Sequence, residues 1–284
     1  MGHRDGWKML VTGASTGIGQ ALVRLAASRG FRVAAVARKD EDLAALSAIG
    51  ENVTPFRCDL NHPDQIEAMA ADVAEKFGDV DILVNNAGYG IRGAVDEVDE
   101  GTVRAMFEVN VFAPWLLIKA FTPAMRARRR GLVVNVSSVT GYFVSPFNGM
   151  YSATKHAMEG YSDALRMELS PFGISVVLIE PGPVATQFMA TTQKHSDDLV
   201  SNPDSMYAKA YDAALKTLAN VHGNALTAES VAMSIMNAVD AKCPRPRYPL
   251  HKLSWIALFL NTFVPRRVVD GILMRQTGLT LLKK

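Results

Sequence analysis

Near its start the chain runs from a short apolar segment through a glycine-rich turn into a helical pattern, and this succession constrains the fold more than any other feature. Residues 9–12 read as a buried strand, Gly13, Gly17 and Gly19 form the turn, and residues 20–29 have helical periodicity. Glycines let the backbone approach a pyrophosphate closely, and the free N–H groups at a helix start favour its negative charge. The stretch therefore predicts a dinucleotide-binding site, although its spacing G-x-x-x-G-x-G differs from the commoner G-x-G-x-x-G.

Further apolar runs alternate with helical patterns along the chain. They predict a crossover helix at residues 64–77 and further strands at residues 31–37, 53–57, 80–84, 132–136 and 174–180. Alternating strands and helices of this length indicate a parallel sheet that is covered by helices on both faces. We therefore predict an α/β fold of the Rossmann type, with a doubly wound parallel sheet.

The second of these strands ends in a basic residue. In a dinucleotide fold an acid at this place binds the ribose hydroxyl of NAD, whereas an arginine can bind the 2′-phosphate of NADP. Arg38 therefore favours NADP(H) over NAD(H), with an ordinary solvated charge as the alternative, and the nearby Asp40 works against this preference. Asp59 and Leu60 follow the third strand, where we expect them to lie near the adenine.

Tyr151 and Lys155 are four residues apart, a spacing that makes them neighbours on a helix. A tyrosine with a pKa of about 10 is a poor proton shuttle near neutrality and needs a positive charge that favours the phenolate. We expect Lys155, together with a bound cationic cofactor ring, to provide that charge, so that Tyr151 serves as general acid and base. The alternative is a surface tyrosine and lysine on an amphipathic helix.

Taken together, these motifs resemble the short-chain dehydrogenase/reductase family from about residue 8 to about residue 241. Thr154 is a small departure, because the family usually has serine there. The resemblance implies a sheet of about seven strands in the order 3-2-1-4-5-6-7, with an added helical segment at the C-terminus. The matching residues occur in the family's order: Thr12-Gly-x-x-x-Gly-x-Gly19, Asn85-Asn86-Ala87-Gly88, Asn110, Ser138, Tyr151-x-x-x-Lys155 and Pro181-Gly182.

The resemblance also implies roles for single residues. Ser138 would hydrogen-bond the substrate oxygen beside the phenol, its neighbour Ser137 would be structural, and Asn110 would help to hold a water that connects Lys155 to solvent. The implied catalytic residues are Asn110, Ser138, Tyr151 and Lys155. The implied cofactor-binding residues are Gly13, Ser15, Thr16, Gly17, Ile18, Gly19, Arg38, Asp59, Leu60, Asn86, Ala87, Gly88, Tyr151, Lys155, Pro181, Gly182, Val184 and Thr186.

The run between Ser138 and Tyr151 is rich in aromatic and apolar side chains and contains no arginine or lysine that could hold a carboxylate or phosphate. This composition favours an apolar carbonyl or alcohol as the substrate. Residues 187–226 are polar and poorly patterned, which fits a mobile flap over the substrate. The candidate pocket residues are Tyr142, Phe143, Phe147 and Phe188, with ordinary packing as the alternative for these side chains.

An unusual tail at residues 251–284 follows the catalytic domain, which we place at residues 1–250. Residues 253–264 are apolar nearly all round but too few to span a bilayer, and residues 268–273 have the spacing of an amphipathic helix. Such a pair could close the pocket, bind another subunit or rest on a membrane surface. Because its aromatic side chains are too many to leave in water, we expect a wall or lid of an apolar pocket. The tail resembles that of the family branch acting on lipophilic alcohols and ketones, such as steroids and retinoids.

The composition bears on several other classes of protein. The formal charge of +2 over 284 residues gives no indication of nucleic-acid binding, and no secretory signal precedes the glycine turn. Cys58 and Cys243 lack the spacing of a metal site or a disulfide framework, so we expect no metal and a reduced, cytoplasmic setting. By family resemblance, long helices from Asp99 and from Tyr151 join copies of the chain into a homodimer or homotetramer.

The sequence thus predicts an NADP(H)-dependent oxidoreductase that interconverts an alcohol and its ketone or aldehyde, with Tyr151 handling the proton. One alternative is a catalytically idle, NADP-binding regulatory or scaffold protein on the same fold. The joint presence of Asn110, Ser138 and Tyr151 argues against it, because a binding module needs none of them. A second alternative is an enoyl-type reductase, which by resemblance usually spaces its tyrosine and lysine more widely.

Overall fold

The computed structural model describes residues 6–222 and 225–282. Its centre is a parallel sheet of seven strands in the order β3-β2-β1-β4-β5-β6-β7, which confirms the predicted order. The predicted domain, flap and tail each include a few residues outside the described ranges, namely 1–5, 223–224 and 283–284. The strands are β1 Lys8–Thr12, β2 Arg32–Ala37, β3 Val53–Arg57, β4 Ile82–Asn85, β5 Gly131–Val136, β6 Ile174–Glu180 and β7 Arg247–Pro249.

Helices cover both faces of this sheet. Helices α1 and α9 pack on one face, and α3, α5 and α6 pack on the other. Because both faces are covered, the central strands β1 and β5 are apolar almost throughout rather than alternating. The helices are α1 Gly17–Ser28, α2 Asp40–Ser47, α3 Pro63–Lys76, α4 Glu100–Phe107, α5 Ala113–Arg128, α6 Gly149–Leu169, α7 Gln187–Val200, α8 Ala208–His222, α9 Ala228–Asp240, α10 Lys252–Phe263 and α11 Arg266–Gln276.

A buried carboxylate marks the start of β4, which begins two residues later than residue 80, where the sequence predicts it. Asp81 is 1% exposed, and its Oδ2 accepts a hydrogen bond of 3.0 Å from the backbone N–H of Lys8. Its Oδ1 accepts 2.9 Å from the guanidinium of Arg130. The charge is thus paired in the interior and ties the entry of β4 to β1.

Helices α4 and α5 form one continuous helical run with a π-helical turn, Glu108–Phe112, between them. In the described part of the chain, this run of residues 100–128 is the one helix with the length and composition to cross a membrane. More than half of its apolar window is buried within the protein. Packing against the sheet therefore accounts for its apolar character.

The region predicted as a poorly patterned flap, residues 187–226, largely folds into α7 and α8. Tyr211 of α8 is buried against Phe147, with ring centroids 4.7 Å apart, and its hydroxyl donates a hydrogen bond of 2.7 Å to Glu97. These helices pack on each other, on the loop after β4 and on the tail rather than on the sheet. The prediction that this segment lacks a helical pattern was wrong, because most of it is helical. The prediction that the segment is mobile stays a prediction.

The tail forms two helices, but most of its aromatic side chains remain in contact with solvent. Helix α10 buries only a narrow stripe, Ser254 and Ala257. Trp255 is 62% exposed and Phe263 is 73% exposed. The expectation that these side chains are too many to leave in water was wrong, because a helix that is apolar all round can turn only one side to the body of the protein.

Candidate active site

A cleft opens at the carboxyl ends of β1, β4, β5 and β6, the edge where open parallel sheets bind ligands. Its volume is about 400 Å³. The predicted site residues that line it are Gly13, Ser15, Thr16, Gly17, Ile18, Asn86, Ala87, Gly88, Ser138, Tyr151, Lys155, Pro181, Gly182, Val184, Thr186 and Phe188. The predicted residues that are not among its described lining are Gly19, Arg38, Asp59, Leu60, Asn110, Tyr142, Phe143 and Phe147.

The glycine turn between β1 and α1 has no room for side chains. Gly13 has a φ of +63°, and a Cβ there would lie 2.9 Å from Cα of Ala87. A Cβ on Gly19 would overlap the carbonyl oxygen of Gly13. Helix α1 carries no acidic residue in its first turn, and its N-cap Thr16 makes no side-chain capping bond. The backbone and the helix start therefore fit a phosphate group of a dinucleotide.

The loop after β4 is locked against this turn by the hydroxyl of Thr12. Its Oγ1 accepts hydrogen bonds from the backbone N–H groups of Asn86, at 3.0 Å, and Ala87, at 3.1 Å. The Asn86 amide returns a hydrogen bond of 2.9 Å to the carbonyl of Thr12. The two loops therefore form one rigid floor for the nucleotide side of the cleft.

Arg38 lies at the rim of this floor, after β2. Its side chain is 62% exposed, and its Nη1 lies 3.8 Å from Asp59 Oδ2. Burial opposes ionisation of Asp59, but hydrogen bonds from Asn61 and the charge of Arg38 outweigh it and hold the carboxyl pKa below its usual range. Asp40, the acid that could oppose an NADP phosphate, is paired with Arg57 at 3.0 Å. Leu60 is buried behind this rim.

Tyr151 and Lys155 lie on α6, with both side chains buried. Lys155 Nζ donates a hydrogen bond of 2.8 Å to the carbonyl of Val136 and lies 5.8 Å from the ring centroid of Tyr151. Burial lowers the pKa of Lys155 to about 8, with the charge of Glu159 opposing the shift.

Burial has the opposite effect on the phenol. It raises the pKa of Tyr151 above its usual range, although a hydrogen bond with Ser138 and the charge of Arg92 oppose the shift. The prediction assigns the lowering of this pKa to Lys155 together with a bound cationic cofactor ring, so it stays a prediction for the complex with cofactor. The same burial that brings the two residues together disfavours the phenolate.

Asn110 sits in the π-helical turn between α4 and α5, and its amide is fully buried. Its Nδ2 donates to the carbonyl of Tyr89 at 2.8 Å and to Oγ1 of Thr154 at 3.1 Å, and its Oδ1 accepts from the Tyr89 N–H at 3.1 Å. The amide therefore links the loop after β4 to α6. The extra residue of a π-turn re-aims side chains at functional sites, a feature that helical periodicity does not reveal. The water relay through Asn110 stays a prediction.

The loop after β6 closes the far wall of the cleft. Thr186 caps α7 by accepting a hydrogen bond of 3.3 Å from the N–H of Phe188. Val184 forms an isolated bridge with Leu226. A Cβ on Gly182 would lie 2.8 Å from Cβ of His251, so the start of the tail packs directly behind this loop.

The substrate side differs from the predicted set of aromatic side chains. Phe188 lines the cleft, with its ring centroid 5.6 Å from that of Tyr151. Phe147 instead packs among the aromatic side chains of α8. Tyr142 points toward the tail, where its hydroxyl donates to the carbonyl of Ser254 at 3.4 Å. The sequence analysis missed Arg92, whose signal is a lone basic residue among the small and apolar residues 87–95 that follow β4.

Comparison with known proteins identifies the family of the chain. The family model for short chain dehydrogenases matches residues 8–197. The 3-ketodihydrosphingosine reductase of Bacteroides thetaiotaomicron is 32% identical over 83% of this chain and 84% of its own.

Solved structures agree with this match. A short-chain dehydrogenase from Streptomyces avermitilis superposes with a TM-score of 0.79 at 31% identity, over 98% of both chains. A metagenomic short-chain oxidoreductase in complex with NADP has a TM-score of 0.69 at 29% identity, over 87% of this chain and 97% of its own. The glycine turn, the buried Tyr151 and Lys155 and these matches together show that the chain belongs to the short-chain dehydrogenase/reductase family of oxidoreductases.

Proposed function

We propose that the protein is an NADP(H)-dependent oxidoreductase that interconverts an alcohol and its ketone or aldehyde. The observation that carries the proposal is the convergence of Ser138, Tyr151 and Lys155 in the same cleft as the glycine turn. A binding module needs the turn but has no use for a buried phenol beside a buried ammonium group.

When bound, a nicotinamide ring supplies or accepts the hydride at the carbonyl carbon. The Tyr151 hydroxyl donates the proton to the carbonyl oxygen during reduction and removes it from the alcohol during oxidation. Ser138 holds the same oxygen, and Lys155 provides a positive charge beside the phenol.

The proposed preference for NADP(H) rests on charge at the nucleotide rim. Arg38 is mostly exposed and loosely paired, so it is available to a 2′-phosphate. Asp40 is held by Arg57 and is thereby partly neutralised. The solved relative that contains NADP supports the same choice.

We propose a substrate with a lipophilic body. Phe188, Met189 and Val139 line the cleft near the reacting groups. A relative that matches most of the chain is named a 3-ketodihydrosphingosine reductase. An apolar body of this kind gains affinity by burial against such side chains.

We also propose that the protein works in the cytoplasm as a homodimer or homotetramer, joined by the faces of α5 and α6. Trp115 of α5 is 50% exposed and Met167 of α6 is 62% exposed, so both faces present apolar side chains. Exposed apolar patches of this kind mark subunit contacts. The tail, with its own exposed aromatic side chains, is a second candidate contact, either with another subunit or with a membrane surface.

The test is a screen of ketones, aldehydes and enones with NADPH, followed at the nicotinamide absorbance, with the variants Tyr151→Phe and Tyr161→Phe. We expect ketones or aldehydes to be reduced, and Tyr151→Phe to lower kcat by about a hundred-fold or more, as general acid catalysis is typically worth. Tyr161 is the control, because it is a tyrosine of the same helix that does not line the cleft.

Each alternative has its own outcome. Turnover of enones only would identify an enoyl-type reductase. NADPH binding without turnover of any substrate would identify a scaffold protein. Near-normal kcat for Tyr151→Phe would show that another group moves the proton.

A further inference from the structure

One charged side chain lines the substrate side of the cleft. Arg92 belongs to the loop that follows β4. Its N–H donates a hydrogen bond of 2.8 Å to Oγ of Ser196 on α7, and the next N–H, of Gly93, donates 3.0 Å to the carbonyl of Phe147. The N–H of Ala94 donates 2.9 Å to the hydroxyl of Tyr211. These consecutive hydrogen bonds, to α7, to the loop before α6 and to α8, fix the backbone at Arg92. The side chain of Arg92 lines the cleft from this position.

The charge of Arg92 is not balanced by the protein. In the described part of the chain, no carboxylate lies within salt-bridge distance of its guanidinium, although the chain forms many ion pairs elsewhere. Burial lowers the pKa of Arg92, yet a guanidinium remains protonated in proteins. Arg92 lines the same cleft as Tyr151, and its charge opposes the rise in the Tyr151 pKa. A largely buried cation without a counter-ion is costly, and buried charges are normally paired.

A second polar group in the lining of this cleft also lacks a partner. Thr192 of α7 lines the cleft and is only 3% exposed, and among the described residues nothing hydrogen-bonds its Oγ1. A Cβ placed on Gly90 would be 3.2 Å from this oxygen and 3.5 Å from Cδ2 of Tyr151. The hydroxyl therefore lies beside the catalytic ring. Buried hydroxyl groups nearly always have a partner, and this Oγ1 is closed off from solvent, so it reaches a ligand in the cleft only when the Thr192 side chain turns.

We propose that Arg92 and Thr192 bind a carboxylate carried by the substrate, so that the enzyme acts on an alcohol or carbonyl compound that joins an apolar body to an acid group. A planar guanidinium pairs with both carboxylate oxygens, and a hydroxyl donates to one of them. The inference rests on the proposed oxidoreductase function and narrows its substrate class. It also modifies the expectation of an apolar carbonyl or alcohol, which was drawn from the absence of Arg and Lys between Ser138 and Tyr151 alone.

The experiment compares an acid with its neutral ester on the same carbon skeleton. The substrates are 4-acetylbenzoate and methyl 4-acetylbenzoate, with 3-acetylbenzoate to vary the distance between carboxylate and ketone. kcat/KM is measured with NADPH for the wild type, Arg92→Gln, Arg92→Lys and Thr192→Val. We expect the wild type to prefer an acid, and Arg92→Gln to lower the acid-to-ester ratio of kcat/KM by about 30-fold, mainly through KM for the acid. Arg92→Lys should retain part of the ratio, and Thr192→Val should lower it by about threefold to tenfold.

Arg104→Gln is the matched control, because it removes the same charge from an exposed site on α4. It should leave the ratio unchanged. The affinities of benzoate and benzamide for the complex with NADPH are also compared, each by competition with the other. This readout does not depend on turnover. Wild-type protein should bind benzoate more tightly, and Arg92→Gln should lose that difference.

The outcomes separate the inference from the proposed function. Equal losses on acid and ester would show that Arg92 acts only on Tyr151, which overturns the inference and leaves the oxidoreductase in place. A wild-type preference for the ester would also overturn it. If no carbonyl compound is reduced, the proposed function fails, and the benzoate competition then decides whether Arg92 binds an anion.

Discussion

The nucleotide half and the substrate half of the cleft are built in different ways. The nucleotide half is a backbone surface, in which Gly13 and Gly19 occupy places where a Cβ would strike the opposite loop. The substrate half is a side-chain surface, in which Arg92, Phe188 and Thr192 come from a loop and a helix about a hundred residues apart. A backbone surface tolerates few sequences, whereas a side-chain surface can be rebuilt by single substitutions.

The same contrast extends to packing around the two halves. The sheet below the nucleotide half is buried on both faces. Beside the substrate half, α10 leaves large aromatic side chains in solvent. We therefore expect substitutions to cost most in the first region and least in the second.

Gly19→Ala should have the largest effect, because its methyl group would overlap the backbone oxygen of Gly13 and the turn cannot move without disturbing the loop after β4. We expect NADPH affinity to fall by about a hundred-fold or more, measured by fluorescence titration, and the protein to unfold more easily. Gly160→Ala on α6 is the control, since no atom lies within 4 Å of its added methyl. That change should raise stability by up to about 1 kcal/mol. Normal NADPH binding by Gly19→Ala would disprove the close fit of the turn.

Arg38→Asp tests the one part of the nucleotide half that depends on a side chain. We expect NADPH binding to weaken by about 2 kcal/mol, roughly 30-fold, while NADH binding changes much less or improves. Dissociation constants for both cofactors should be measured beside those of Arg104→Asp, which makes the same charge change at a distant exposed site. An equal loss of affinity for NADPH and NADH would show that Arg38 is only a surface charge.

Glu180 is a buried acid at the end of β6, and its titration should make stability depend on pH. Burial, reinforced by the charge of Glu159 and opposed by Arg247, raises the pKa of Glu180 to about 8. Between the ordinary carboxyl pKa and about 8, the folded protein binds more protons than the unfolded chain. The free energy of unfolding should therefore fall as pH rises through this window.

Glu180→Gln removes that titration. The free energy of unfolding of the variant minus that of the wild type should be about 1–2 kcal/mol higher at pH 9 than at pH 5. Urea denaturation at both pH values measures this difference. A difference that does not depend on pH would mean that Glu180 stays ionised in the fold.

The smallest effect is expected from Phe259→Ser combined with Phe263→Ser on α10. Both side chains are exposed and neither lines the cleft, so kcat/KM should not change and the free energy of unfolding should change by about 0.5 kcal/mol or less. Val269→Ser on α11 is the contrast, because Val269 is buried and its replacement should cost about 1–3 kcal/mol. A large loss of stability, or a change in mass in solution, would show that the exposed face of α10 is covered by another copy of the chain.

The sequence by itself determined the covered parallel sheet and the nucleotide floor, whereas the order of the strands was implied by the resemblance to the family. Apolar runs longer than a few residues at regular spacing can be buried only in a covered parallel sheet, and glycines at Gly13, Gly17 and Gly19 leave few conformations for the turn. The spacing of Tyr151 and Lys155 likewise placed both side chains on one helix, since the relation is local. Signals of this kind survive in sequence because neighbours along the chain remain neighbours in space.

Only the tertiary structure decided which side chains meet across the substrate half. Arg92 lines the same cleft as Tyr151, Phe147 packs against Tyr211, and β7 closes the sheet from a segment without a clear strand pattern. The pKa of Tyr151 was also decided there, because burial outweighs the nearby charges. These relations depend on contacts between segments that are far apart in the chain. Their energies come from burial and charge in the folded state, and no local pattern in the sequence encodes them.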